Sequence, residues 1–210
     1  MKTVIAVPCM EQVAAKFASS LAMLQKVDDC KVAFEVGSLV YNSRNDLARL
    51  AVQAQADYVL WLDSDMTFEP NLLQRLMEHM KDKDMVAGLY FRRSLPYTPV
   101  LFKRLVINHD GLVESVGYED YPQKVFEVAG CGFGGVLMKT EILFDVVGKF
   151  GTWFTPIGMV GEDLAFCWRA RECGYKIFCD PQIQLGHVGH VVVNEDFYKS
   201  YYNGVSRSGG

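Results

Sequence analysis

The stretch Tyr58-Val59-Leu60-Trp61-Leu62-Asp63-Ser64-Asp65 decides the fold that this sequence predicts. Its first five residues are continuously apolar, which is typical of a central strand covered on both faces of a sheet. Two acids, one residue apart, follow this strand directly. Because ligands of parallel α/β sheets collect outside the carboxyl ends of the strands, Asp63 and Asp65 are candidate ligands of a hard divalent cation.

The segments around this strand alternate between strand and helix patterns. Strands are predicted at 3–8 and 31–36, and helices are predicted at 11–26, from Ser43 onward, and at 69–81. Ser43 is the residue type expected to cap the second of these helices. Such alternation is typical of a parallel sheet whose strands are joined by crossover helices.

The second half of the chain has a different pattern, in which strands predominate. The predicted strands are 85–92, 100–106, 125–129, 135–138, 175–179 and 182–185, with a turn at 108–111. One helix is predicted from Gly161 to about Glu172. We expect a single α/β domain over residues 1–200, built on a mainly parallel sheet flanked by helices, with a mobile polar tail at 203–210.

Composition narrows the class of protein. The chain has 210 residues, of which 50% are hydrophobic, enough for one domain with a sizeable core. A net charge of −4 argues against a broad basic surface for nucleic acid. The six cysteines form no CxxC pair, which argues against structural zinc and favours reduced thiols. No stretch approaches the roughly 20 apolar residues of a membrane span, and the N-terminal apolar run is too short for a signal peptide, so we expect a cytoplasmic protein.

Several motifs, taken in order, resemble the GT-A glycosyltransferases and most closely their large family-2 class. The motifs are residues 43–48, the Asp63-Ser64-Asp65 strand end, Gly134-Gly135, Gly161-Glu162-Asp163 at a helix start, and residues 185–190. The resemblance covers about residues 1–190 and rests on the whole ordered set. It implies a GT-A fold with a nucleotide-sugar-binding half at about 1–92 and an acceptor and catalytic half at about 93–200.

A divalent cation is the cofactor that this resemblance implies. Cleavage of a sugar–phosphate bond leaves negative charge on the departing diphosphate, and a Lewis acid stabilises that charge. Asp65 is the expected direct ligand, and Asp63 would act through water or hold the ribose. His187 would supply a nitrogen ligand, which favours Mn²⁺ over Mg²⁺, and His190 is the alternative histidine.

Asp163 is the predicted general base of the reaction. It would take the proton from an acceptor hydroxyl that attacks the anomeric carbon, while Glu162 would contact the acceptor. Acids at this position would also favour the positive end of the following helix for electrostatic reasons alone. The motif favours transfer with inversion of configuration.

Further site residues are predicted from their positions in the resemblance. Those around the nucleotide, for which UDP is favoured over GDP, are Pro8, Glu35, Arg44, Asn45, Asp63 and Ser64. Those beside the donor sugar or acceptor are Gly134, Gly135, Trp153 and Arg92. Arg92 and the adjacent Arg93 are suited to pair with phosphate or with an acidic acceptor.

The expected function is therefore metal-dependent transfer of a sugar from a nucleoside-diphosphate sugar to an acceptor hydroxyl. A glycan, a lipid-linked sugar, a protein or a modified nucleobase could each serve as acceptor. A nucleotidyltransferase is one alternative, but residues 7–11 lack the glycine-rich basic loop that such enzymes place after the first strand. A non-catalytic nucleotide-binding module is the other, and the presence of both Asp65 and Asp163 argues against it.

Overall fold

A computed structural model describes residues 1–107, 113–189 and 195. Its helices are α1 (Ala15–Met23), α2 (Val40–Gln53), α3 (Leu72–Glu78), α4 (Glu141–Phe150) and α5 (Glu162–Glu172), and a 3-10 turn at His79–Lys81 extends α3. The strands are β1 (Thr3–Cys9), β2 (Cys30–Val36), β3 (Tyr58–Trp61), β4 (Met66–Thr67), β5 (Met85–Leu89), β6 (Leu101–Ile107), β7 (Val113–Gly117), β8 (Phe126–Val128), β9 (Gly130–Cys131), β10 (Val136–Lys139), β11 (Ile177–Gln184) and β12 (Gly186–His187). The predicted turn at 108–111 and the predicted tail at 203–210 lie outside the described residues.

In the described part of the chain, the central sheet has seven strands in the order β2-β1-β3-β10-β5-β11-β8. Strands β2, β1 and β3 are parallel neighbours, as are β5 and β11, and only β10 and β8 run against them. The mainly parallel α/β architecture predicted from the sequence is confirmed. Two small sheets, β12-β4 and β7-β6-β9, complete the described structure.

The core lies on both faces of this sheet, which explains why the sequence of β3 is continuously apolar. Val59 and Trp61 pack into the cluster that contains residues of α2, α4 and α5. Leu60 and Leu62 point to the other face and pack with residues of α1 and α3. Because successive side chains of a strand alternate between faces, a strand buried on both sides needs apolar residues at every position.

The start of α2 differs from its prediction. The helix begins at Val40, its N-cap residue is Leu39, and Ser43 is buried inside the first turns instead of capping them. A Cβ at Gly37 would lie 2.6 Å from the Ser43 hydroxyl oxygen, so the small glycine lets this serine pack against the end of β2. The prediction of Ser43 as a cap was wrong.

Two further elements differ from the predicted pattern. Helix α4 was not predicted, although Ile142, Leu143 and Val146 have helical spacing and are its buried residues. The two strands predicted at 175–179 and 182–185 form the single strand β11, whose pairing with β5 shifts register between Asp180 and Gln184. This irregularity accommodates Pro181, which has no N–H to donate to a ladder.

All six cysteines are free thiols. Within the described part of the chain, no helix is both long enough and apolar enough to cross a membrane.

Candidate active site

A cleft of about 610 Å³ opens where the chain leaves β1, β3 and β5, beside the N-terminus of α5. Its volume lies in the range of small-molecule sites. The structure brings nine of the predicted site residues to its walls, namely Pro8, Arg44, Asp63, Ser64, Asp65, Arg92, Glu162, Asp163 and His187. Motifs about 100 residues apart in the chain therefore share one cavity.

The two-stranded β4–β12 pairing places His187 beside Asp65. His187 is the register partner of Met66, and the N–H of Val188 donates to the carbonyl oxygen of Asp65 at 2.8 Å. A Cβ at Gly186 would lie 2.4 Å from the Thr67 hydroxyl oxygen, so the absence of a side chain at Gly186 leaves room for this hydroxyl between the strands. His187 Nε2 consequently lies 3.4 Å from a carboxylate oxygen of Asp65.

Charge around Asp65 is balanced by two cationic or potentially cationic groups. Arg93 donates to Asp65 at 2.5 Å. Burial raises the pKa of Asp65, but the hydrogen bond with His187 and the charge of Arg93 lower it more, so that the net shift is downward. The hydrogen bond with Asp65 raises the pKa of His187 against the opposite effect of its own burial.

Asp65 and His187 form a donor set that fits a divalent cation. The other ring nitrogen of His187, Nδ1, lies 3.0 Å from the carbonyl oxygen of Phe91. With Nδ1 donating its proton there, loss of the Nε2 proton would leave a lone pair beside Asp65 for a cation, and such anchoring of the second ring nitrogen is usual for a metal-ligating histidine. Among the described residues, no group of three or more His, Cys, Asp or Glu side chains is arranged to hold a metal by itself. A cation here would need further oxygen ligands from a substrate such as a diphosphate.

Arg44 lies under the cleft and connects its two groups of acids. The side chain is only 1% exposed, donates to Asp63 at 2.7 Å and lies within 3.6 Å of Glu162 and 3.3 Å of Asp163. Three aromatic rings surround the guanidinium, those of Trp61, Phe133 and Phe154. This position makes Arg44 a part of the floor of the cleft and restricts its access to a bound nucleotide.

Asp163 has the environment of a carboxyl group that titrates near neutrality. Its Oδ2 accepts a hydrogen bond from the N–H of Phe133 at 3.3 Å, whereas Oδ1 is buried, lies 3.3 Å from Arg44 Nη2 and makes no hydrogen bond among the described residues. Burial raises its pKa to about 7, with Arg44 opposing this shift and the charges of Glu162 and Asp63 adding to it. A carboxylate of this pKa is suited to act as a general base.

Tyr90 is a residue of the cleft that the sequence analysis did not identify. It is 5% exposed, lines the cavity, and accepts a hydrogen bond from the N–H of Gly134. Burial and the nearby charges of Asp63 and Asp163 raise its pKa well above the usual value, so the hydroxyl keeps its proton. The only feature of the sequence that pointed to Tyr90 was the alternation along the predicted strand 85–92, which puts residue 90 on the same face as Val86.

Five predicted site residues do not line the cleft. Glu35 is half-buried on β2, and the side-chain oxygen of Asn45 accepts from the N–H of Phe154. Trp153 is buried and donates its indole N–H to the carbonyl oxygen of Leu143. Gly134 and Gly135 are buried behind the cleft, packed against Tyr90 and Leu185. His190 lies outside the described residues.

Comparisons with known proteins place the fold. The crystal structure of A197 from STIV has a TM-score of 0.64 and 18% identity, over 90% of this chain and 86% of that chain. The crystal structure of GalNAc-T7 with UDP, GalNAc and Mn²⁺ has a TM-score of 0.61 and 12% identity, over 98% of this chain and 48% of that one. This chain therefore spans about half of GalNAc-T7. At such identities the two likenesses show the fold alone, which is the GT-A architecture.

The family follows from the sequence itself. A search among curated protein sequences found no match. The model of the family described as "Glycosyl transferase family 2", however, matches residues 28–136, which is more than half of the 210-residue chain. The matched segment includes Arg44, the two acids at the end of β3, and the glycines that precede β10. The chain is a glycosyltransferase that belongs to glycosyl transferase family 2.

Proposed function

We propose that this glycosyltransferase transfers a sugar from a nucleoside-diphosphate sugar, with UDP favoured, to an acceptor hydroxyl, in a divalent-metal-dependent reaction that inverts the anomeric carbon. The observation that carries the proposal is the shared cleft, in which Asp65 and His187 lie on one side and Asp163 on the other, with Arg44 between the acids. A nucleotidyltransferase is not favoured, given the family.

Asp65 and His187 are the proposed protein ligands of the cation, and Mn²⁺ is favoured because one ligand is an imidazole. When bound, the cation would neutralise the charge that develops on the diphosphate as the sugar leaves. Arg93, which pairs with Asp65 and lines the same cleft, would be available to contact a diphosphate. Arg92 is a second cationic group at the same wall of the cleft.

Asp163 is the proposed base. The acceptor oxygen forms a bond to the anomeric carbon, the bond from that carbon to the diphosphate oxygen breaks, and its electron pair leaves with the nucleoside diphosphate. The acceptor proton passes to Asp163, whose raised pKa suits proton transfer near neutral pH. Attack from the side opposite the leaving group gives inversion. Glu162, also in the cleft, is placed to contact the acceptor.

The first prediction tests the metal assignment through binding of UDP. In wild type, UDP should bind at least about tenfold more tightly with Mn²⁺ than in EDTA, because without a cation Asp63 and Asp65 repel the diphosphate and about 1.4 kcal/mol is tenfold in affinity. Asp65→Ala should bind UDP weakly and with little response to Mn²⁺. Isothermal titration calorimetry with both proteins measures the two affinities directly.

Asp28→Ala is the matched control, since Asp28 is an exposed acid remote from the cleft in the sequence and absent from its walls. This variant should retain the full response to Mn²⁺. Equal affinity of wild type for UDP with Mn²⁺ and in EDTA would contradict the metal assignment.

A further inference from the structure

Strand β2 leaves one edge of the central sheet open. Among the residues that the structure describes, it is the terminal strand of that sheet and pairs only with β1. It is seven residues long, has no proline and pairs with β1 without a bulge, so that of the devices that protect a sheet edge from pairing with another chain it has only the charged side chains of Lys31 and Glu35. Phe34 and Val36 are 46% and 58% exposed, so no described segment covers this end of the strand.

The hydrogen-bonding groups at the open edge belong to the even-numbered residues. The carbonyl of Asp29 accepts from Thr3, and the N–H of Gly37 donates to the carbonyl of Cys9, so odd-numbered residues face β1. In a strand, neighbouring residues direct their N–H and C=O groups to opposite edges. Cys30, Val32, Phe34 and Val36 therefore present theirs away from the sheet.

The sequence of β2, Cys30-Lys31-Val32-Ala33-Phe34-Glu35-Val36, is complementary to itself in an antiparallel arrangement centred on Ala33. Val32 then lies opposite Phe34 of the second copy, and Cys30 lies opposite Val36. Both pairs consist of even-numbered residues, so their backbone groups can exchange hydrogen bonds. Lys31 lies opposite Glu35 at a position without hydrogen bonds, where side chains approach most closely.

This register also separates the two kinds of side chain onto two faces. The even-numbered residues form an apolar ladder on one face, in which Phe34 and Val36 would be covered by Val32 and Cys30 of the partner copy. On the other face, two Lys31–Glu35 ion pairs flank the small Ala33 at the twofold axis. A shift by two residues in either direction would lose both ion pairs, so charge specifies the register.

We propose that this chain forms a twofold-symmetric homodimer through antiparallel pairing of β2 with β2 of a second copy, centred on Ala33. The two central sheets then continue into one another. The partner at this edge is a second copy of this chain, because the exposed backbone groups, the apolar side chains and the opposite charges all match in the same register.

Charge exchange across the pair tests the proposal. In a dimer of Lys31→Glu, two acids would lie opposite each other at both symmetric positions. In a dimer of Glu35→Lys, two lysines would lie opposite each other at both. Each single variant should weaken the dimer by about tenfold or more, because two attractive pairs become repulsive. The double variant Lys31→Glu/Glu35→Lys should dimerise like wild type, and an equimolar mixture of the single variants should form a heterodimer.

Sedimentation-equilibrium centrifugation gives the dissociation constants. Lys81→Glu and Glu119→Lys, at exposed positions outside β2, are the matched charge controls. The mixture keeps the test valid even if one variant is less stable, because restored association requires both variants to be folded. A wild type that stays monomeric at all concentrations would overturn the proposal. Single variants that dimerise like wild type, or a mixture that does not associate, would also overturn it.

Discussion

Asp163 and Arg44 illustrate how much of the chemistry depends on single residues. Arg44 donates to Asp63 at 2.7 Å and lies 3.3 Å from Asp163, so one buried guanidinium is shared by acids from both sides of the cleft. Since truncating one member of a buried charged group leaves the others uncompensated, Arg44 is a poor site for testing the reaction. The pH dependence of the reaction is more informative.

The groups facing Asp163 come from several elements, and they are Arg44 of α2, Asp63 after β3, Tyr90 after β5, Cys131 of β9 and the adjacent Glu162. A base acts only in its ionised form. With a pKa of about 7, the kcat/KM of the wild type should be low in acid, rise as the pH passes through about 7, and level off above it.

Glu162→Gln should move this midpoint to lower pH, because removal of a neighbouring negative charge favours ionisation of Asp163. The measurement is kcat/KM for UDP release from a UDP-sugar across a pH series, with Glu172→Gln, at the other end of α5, as the matched control. A midpoint that stays in place or moves upward in Glu162→Gln would contradict the assignment of Asp163 as the titrating group.

The sequence identified most of these residues but did not predict their contacts. Asp63 and Asp65 were identified because a strand end can be recognised locally, whereas Asp163 was identified from the resemblance of the ordered motifs. Arg44 was assigned to the nucleotide, but its actual partners come from residues about 20 and 120 positions away, and no local pattern encodes such distances. For the same reason Tyr90 was not identified, and Trp153 was predicted beside the donor sugar or acceptor although it is buried.

At the scale of elements, the β4–β12 pair is the small structure on which the proposed metal site depends. Gly186→Ala would bring a Cβ within 2.4 Å of the Thr67 hydroxyl oxygen, so that either the Thr67 side chain must move or the two strands must separate. Because His187 follows directly, we expect the affinity for Mn²⁺ in the presence of UDP to fall by about 10- to 100-fold, as for loss of a supporting contact.

Thr67→Ala supplies the control for this variant. In Gly186→Ala/Thr67→Ala the hydroxyl is gone and the remaining Cβ lies 3.8 Å away, an ordinary contact. The double variant should therefore recover most of the lost Mn²⁺ affinity in a calorimetric titration. If Gly186→Ala alone binds Mn²⁺ like wild type, the pairing does not position His187 as described.

The elements themselves were predicted with mixed success, for identifiable reasons. Strand β3 was predicted accurately because burial on both faces leaves a continuous apolar pattern. Strand β10 was predicted as a strand, but its antiparallel insertion between β3 and β5 depends on long-range pairing that periodicity does not report. Helix α4 was missed even though its buried residues have helical spacing and Gly151, with φ of 72°, ends it.

At the scale of the whole molecule, the topology explains why distant motifs share one cavity. Parallel strands β1, β3 and β5 end at the same side of the sheet, and the contacts of Phe133 and Arg44 with Asp163 join the start of α5 to that side. The assignment of residues 1–92 to the nucleotide and 93–200 to the acceptor stays a prediction. The central requirement of the proposed function is that donor binding and proton transfer are carried out by different residues.

Asp163→Asn tests this requirement most directly. The assay is UDP release from the best UDP-sugar with Mn²⁺ and water as acceptor, measured beside UDP affinity on the same preparation, with the exposed Asp120→Asn as control. Turnover should fall by about 10²- to 10⁴-fold, the usual contribution of a positioned base, while UDP affinity stays close to that of wild type. Turnover near the wild-type rate, or an equal loss of turnover and UDP affinity, would contradict the role of Asp163 as the base.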